Sequence, residues 1–177
     1  MQRQVGEGGA GTGRAPDDAP LPMPRLDLLD HPVTWRTRAL FVLGALWASP
    51  LTLAGLLAGL VLVPFGARPR LERRDCALVF HRVPLGPGGA MTLGNVIFNT
   101  ARDLDAPCTT YEHRAGRCVH PRIRIGDHER AHVLQAMALG PLFLPLYFAF
   151  GGVSVRNRFE RAADRYALTG HGWWPFA

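Results

Sequence analysis

The 177-residue chain contains no lysine; all twenty of its basic residues are arginine. That absence excludes a P-loop lysine beneath a phosphate, a Schiff-base amine and a lysine general base. Charge of either sign is scarce, at 19% of residues, and two long stretches carry none. Cysteine is scarce and odd in number, so Cys76, Cys108 and Cys118 can close at most one intramolecular disulfide. Cys108 and Cys118 with His113 and His120 lack the paired C-x-x-C spacing of a structural zinc site and read as ordinary side chains. No apolar core follows the start, so no signal peptide is expected there, and no internal repeat recurs. The net charge of +6 comes from arginines that flank the uncharged stretches. It reads as juxtamembrane charge, and no nucleic-acid partner is expected.

What is present falls into five parts. Residues 1–30 are rich in Gly, Pro, Ala and Asp and read as a disordered tail. Residues 35–67 hold the first uncharged stretch, Ala39 to Ala67. Its 29 residues would make about 43 Å of helix, more than a ~30 Å hydrocarbon core needs. Pro50 and Pro64 interrupt it, so a kinked transmembrane segment or a hairpin bent near Ser49-Pro50 is predicted. Residues 68–127 read as a small β-rich domain. Leu71–Arg82 and Ala90–Asn99 would form a hairpin or small sheet about the Gly86–Gly89 turn, with a third strand around Arg122–Ile125. Residues 128–170 follow, with a second uncharged stretch at Val133–Val155 and a charged helix at Asn157–Leu168. The aromatic tail 171–177 would suit a headgroup layer.

The sharpest motif is His128-Glu129-Arg130-Ala131-His132, an H-E-x-x-H. On a helix the two histidines sit one turn apart on one face, so both imidazoles can reach one zinc ion. Glu129 can then serve as general base toward a water on the metal. A third histidine at the metzincin spacing is absent; Gln135 and Ala138 stand in the glycine and histidine places. Gln135 reads as a polar residue hydrogen-bonded inside the helix pair. Further on, Glu160 and Asp164 are four apart on a predicted helix. Glu160 could supply the third ligand and Asp164 could accept the other ring proton of a ligating histidine. The same residues, flanked by Arg161 and Arg165, also fit an ordinary solvated helix face.

H-E-x-x-H followed by E-x-x-A-D resembles the gluzincin zinc metallopeptidases, especially membrane-anchored ones. The resemblance implies His128, His132 and Glu160 as zinc ligands, Glu129 as the catalytic base and Asp164 as the carboxylate behind a ligand histidine. Ser49–Leu53, Thr92-Leu93-Gly94, His128–Gln135, Gly140–Phe143 and Arg158–Arg161 also resemble an uncharacterised group of small bacterial membrane proteins. Asn95 stands where that group carries histidine.

A straight helix through Val133–Val155 would put His132 and Glu160 about 40 Å apart, whereas zinc ligands lie within ~2.2 Å of the metal. The site therefore demands a bend, and Gly140-Pro141 and Gly151-Gly152 are placed to make it. The expected architecture is α+β and membrane-anchored: a kinked N-terminal segment, a small sheet, and a gluzincin-like helix pair joined by a bent apolar segment. The arginine excess after each uncharged stretch places the site on the cytoplasmic side of a bacterial inner membrane. The expected function is zinc-dependent hydrolysis of a peptide or protein substrate near membrane lipid. The alternative is a non-enzymatic protein whose arginines bind anionic headgroups or a protein partner.

Overall fold

In the computed structural model, residues 34–86, 88–101, 103–116 and 123–176 are described. The expectations for tail 1–30 and for Cys118, His120 and Arg122 lie outside them. The first uncharged stretch forms two helices, α1 (Trp35–Trp47) and α2 (Ser49–Leu62), bent by 64° at the break before Pro50. Pro50 sits in the first turn of α2, where its missing N–H costs nothing. A 3-10 turn at Val63–Phe65 ends at Gly66, whose φ of +105° suits only glycine.

The next strands are β1 (Arg68–Glu72), β2 (Ala77–His81), β3 (Ala90–Leu93) and β4 (Val96–Asn99), in sheet order β1-β2-β4-β3. A small sheet forms as expected, but its pairing is not one hairpin about Gly86–Gly89. Each apolar run is itself a hairpin, β1 with β2 and β3 with β4, and the two join through a parallel β2–β4 pair. The second hairpin closes through Gly94-Asn95, with Gly94 at φ +62° as two-residue loops prefer. Gly94 also meets Thr52 of α2, and Thr52 Oγ1 accepts the Asn95 backbone N–H at 3.0 Å. Asn95 Nδ2 donates to the Cys76 carbonyl at 3.2 Å, so Asn95 ties the two hairpins and α2 together.

Helix α2 lies on this sheet through Gly55 and Gly59, its two buried residues, which face Val96 and Phe80. A side chain at Gly59 would overlap the Phe80 ring. Gly59→Leu is therefore expected to lower the melting temperature, at a cost of about 1–3 kcal/mol or more from overpacking. A thermal melt checks this; an unchanged midpoint would show that α2 is not seated as described.

A two-stranded sheet pairs β5 (Pro107–Cys108) with β6 (Ile123–Arg124), with the short helix α3 (Tyr111–Arg114) between them. The third expected strand is thus only two residues long. Helix α4 (Ile125–Leu139) begins directly after it and is buried along most of its length. An ion cluster fixes its start. Arg124 pairs with Asp75 at 3.3 Å and Asp127 at 3.2 Å, and also with Asp105, while Asp127 takes Arg130 and, at 3.8 Å, Arg74. Arg74, Arg124 and Arg130 are therefore committed inside the fold, which reduces the juxtamembrane charge that the arginine count alone implied.

Helix α4 breaks into a 3-10 turn at Gly140–Leu142, followed by α5 (Phe143–Ala149), a turn through residues 150–157, and α6 (Arg158–Thr169). Gly140 has φ +58°, and a side chain there would strike Trp47 of α1. Gly151 and Gly152 have φ +113° and +57° in the second turn. The fold is a mixed α+β arrangement with two small sheets. Among the described residues, Ile125–Ala149 is long and apolar enough to cross a membrane, although much of it is buried within the protein; α1 and α2 qualify only as one bent pair. In the tail, Phe176 is 44% exposed while its ring meets Phe150 and Phe159 at 5.4 and 6.0 Å, and Trp173 and Trp174 are half-buried.

Candidate metal centre

The turns at Gly140 and Gly151-Gly152 return the chain so that α6 lies along α4. Asn157 sets the register. Its side chain accepts the Phe159 N–H at 3.0 Å, while its Nδ2 donates to the carbonyls of Tyr147 and Gly152 at 3.0 and 2.6 Å. With α6 started there, Phe159, Glu160, Ala163, Asp164 and Tyr166 fall on the buried face, and Arg158, Arg161 and Arg165 are exposed. The carboxylates are thus inside, and the solvated-face reading of this helix does not hold for them.

His128, His132 and Glu160, each buried, are brought together and can hold a metal ion. His128 Nε2 is 3.2 Å from His132 Nε2 and 3.1 Å from Glu160 Oε2; His132 Nε2 is 3.5 Å from that same oxygen. The outer partners determine which ring nitrogens face inward. His128 Nδ1–H donates to Asp164 Oδ1 at 3.0 Å, and the other Asp164 oxygen accepts the Tyr111 backbone N–H at 2.8 Å. Gln135 Nε2 donates to the carbonyls of Phe159 and Trp173 at 3.2 and 2.8 Å. That fixes the amide orientation, so Gln135 Oε1 accepts from His132 Nδ1–H at 2.8 Å. Both Nε2 lone pairs then converge with a carboxylate oxygen on one point. Three acceptors at such distances repel unless a cation lies among them. A proton can serve in place of a metal: burial alone would push the Glu160 carboxyl up, but charged His132 and His128 imidazolium groups hold it well below the usual carboxylate range.

Glu129 is buried on the same helix, and its Oε2 accepts the Thr92 hydroxyl from β3 at 2.6 Å. Three further contributors are not apparent from motif spacing: Thr92, the Tyr111 backbone, and Tyr147, whose hydroxyl donates to Glu160 Oε1. A tyrosine alone in an otherwise hydroxyl-poor apolar stretch was the available signal for Tyr147, because a buried phenol needs a partner. Gln135 is hydrogen-bonded within the helix pair, as its position on the histidine face suggests. Tyr166 packs under the Arg130 guanidinium at 5.8 Å, and His171 is exposed.

Gln135→Leu removes the acceptor that orients His132. It is expected to weaken metal binding by about 10–100-fold, read by competition with a chromophoric chelator. Equal affinity in both proteins would remove Gln135 from the site. Comparison of the chain with protein-family models, curated proteins and solved structures finds no match to any of them.

Proposed function

We propose that this protein is a membrane-associated zinc metallopeptidase of the gluzincin type. The observation that carries the reading is the convergence of two tautomer-fixed histidines and one carboxylate behind an H-E-x-x-H helix. Two histidines plus a carboxylate is the donor set of hydrolytic zinc, which keeps one position open. The donor separations of 3.1–3.5 Å are compatible with bonds of ~2.0–2.2 Å to one shared ion.

When bound, zinc would acidify a water and polarise the substrate carbonyl. Glu129 would take the proton and deliver it to the leaving amine nitrogen. Thr92 would hold the Glu129 carboxylate in place through its hydroxyl. Asp164 and Gln135 would keep Nδ1 protonated on each histidine, leaving Nε2 for the metal.

The membrane half of the proposal rests on α1 and α2. Leu40, Leu43, Leu46, Leu57, Leu60 and Val61 are all more than half exposed on them. Soluble proteins rarely leave so much contiguous apolar surface bare, and a bilayer would cover it. On the arginine bias, the metal centre would face the cytoplasm at a bacterial inner membrane. The test is hydrolysis of a quenched fluorescent peptide library by the full chain in lipid nanodiscs. Cleavage should stop with a chelator and return with added zinc; cleavage indifferent to chelation would refute the proposal.

A further inference from the structure

The two oxygens of Glu160 have different neighbours. Oε2 faces the histidine nitrogens at 3.1 and 3.5 Å, while Oε1 accepts the Tyr147 hydroxyl. The phenol has little freedom to leave. Its ring is nearly buried, 5.8 Å from Phe143, 6.0 Å from Phe159 and edge-on to His132 at 6.0 Å. Its backbone carbonyl accepts Asn157 Nδ2 at 3.0 Å. The Gly140 turn precedes α5, which presents this hydroxyl to Glu160 Oε1.

A carboxylate can bind a metal through one oxygen or through both, and with three protein ligands the choice sets how much of the ion remains open. We propose that Tyr147 is a positioning residue that occupies Glu160 Oε1 and so restricts Glu160 to binding a metal through Oε2 alone. Two histidines and one oxygen then make three bonds, and the fourth position of a tetrahedron stays free for water or substrate. With Oε1 released, Glu160 would close on the ion with both oxygens, adding a fifth bond beside the water and crowding the open position. The inference rests on the metal-site reading above, and it adds a role for a hydroxyl that lies outside both sequence motifs.

The test uses the full-length protein loaded with cobalt(II), which reports coordination number in its visible absorption. The wild-type protein should bind cobalt in a four-coordinate site with intense visible bands. Tyr147→Phe keeps the ring and its packing, so the fold should survive. Its bands should weaken about twofold or more as the site becomes five-coordinate. X-ray absorption on the zinc forms should show nitrogen and oxygen neighbours rising from about four to about five. Identical spectra in the two proteins would overturn the inference, because a tyrosine that only packs would leave the metal geometry unchanged. Should Tyr147→Phe not fold, the wild type alone decides: a four-coordinate ion supports the inference and a five- or six-coordinate one overturns it. Absence of cobalt uptake by the wild type would overturn the metal reading as well, a result distinct from either spectrum.

Discussion

Glu129→Gln is expected to reduce peptide hydrolysis by about 10²–10⁴-fold while leaving bound zinc unchanged, the range for losing a positioned general base. The substitution is nearly isosteric, and the glutamine carbonyl oxygen can still accept the Thr92 hydroxyl that now bonds Glu129 Oε2. Neither α4 nor the β3 contact should move, and none of the three metal donors is altered. Turnover and metal content measured on one preparation therefore separate catalysis from assembly. Hydrolysis undiminished by the change would remove Glu129 from the mechanism. Loss of metal together with activity would mean that Glu129 is a structural part of the site.

His132→Ala should lose metal outright, by more than the about 10–100-fold of an outer partner. Among the described residues, His132 supplies one of the three clustered donors and carries the hydrogen bond to Gln135. A thermal melt gives an independent reading, because a ligand that binds only the folded state stabilises it by about 2.7 kcal/mol at 100 times its dissociation constant. Zinc should raise the wild-type midpoint and leave that of His132→Ala where it is. A zinc-dependent rise of equal size in both proteins would place the metal elsewhere.

The histidine pair and the bend that brings Glu160 to it are legible in the sequence because both are local. His128 and His132 share a helical face by spacing alone, and Gly140 and Gly151-Gly152 mark the turns through a backbone need that composition exposes. Glu160 and Asp164 are harder to assign. An E-x-x-x-D spacing fits a solvated helix as well as a buried one, and only the packing of Phe159 and Tyr166 on the same face settles it. The parallel β2–β4 pair is not legible, since hydrophobic alternation shows that strands exist but not which neighbour each takes. The same holds for Thr92 beside Glu129, 37 residues away, and for the Trp173 carbonyl that orients Gln135. Those contacts depend on how helices and sheet dock, which no window of sequence contains. The arginines show the opposite failure: a count cannot distinguish Arg124 and Arg130, buried in ion pairs, from Arg158 and Arg165 on the surface.

Elemental analysis of the full chain, purified in detergent without added metal or chelator, decides whether His128, His132 and Glu160 hold a metal. About one zinc per chain is expected, removable by chelator and recovered on adding zinc back. Folded protein that carries no zinc, and takes up none when it is supplied, would contradict that expectation.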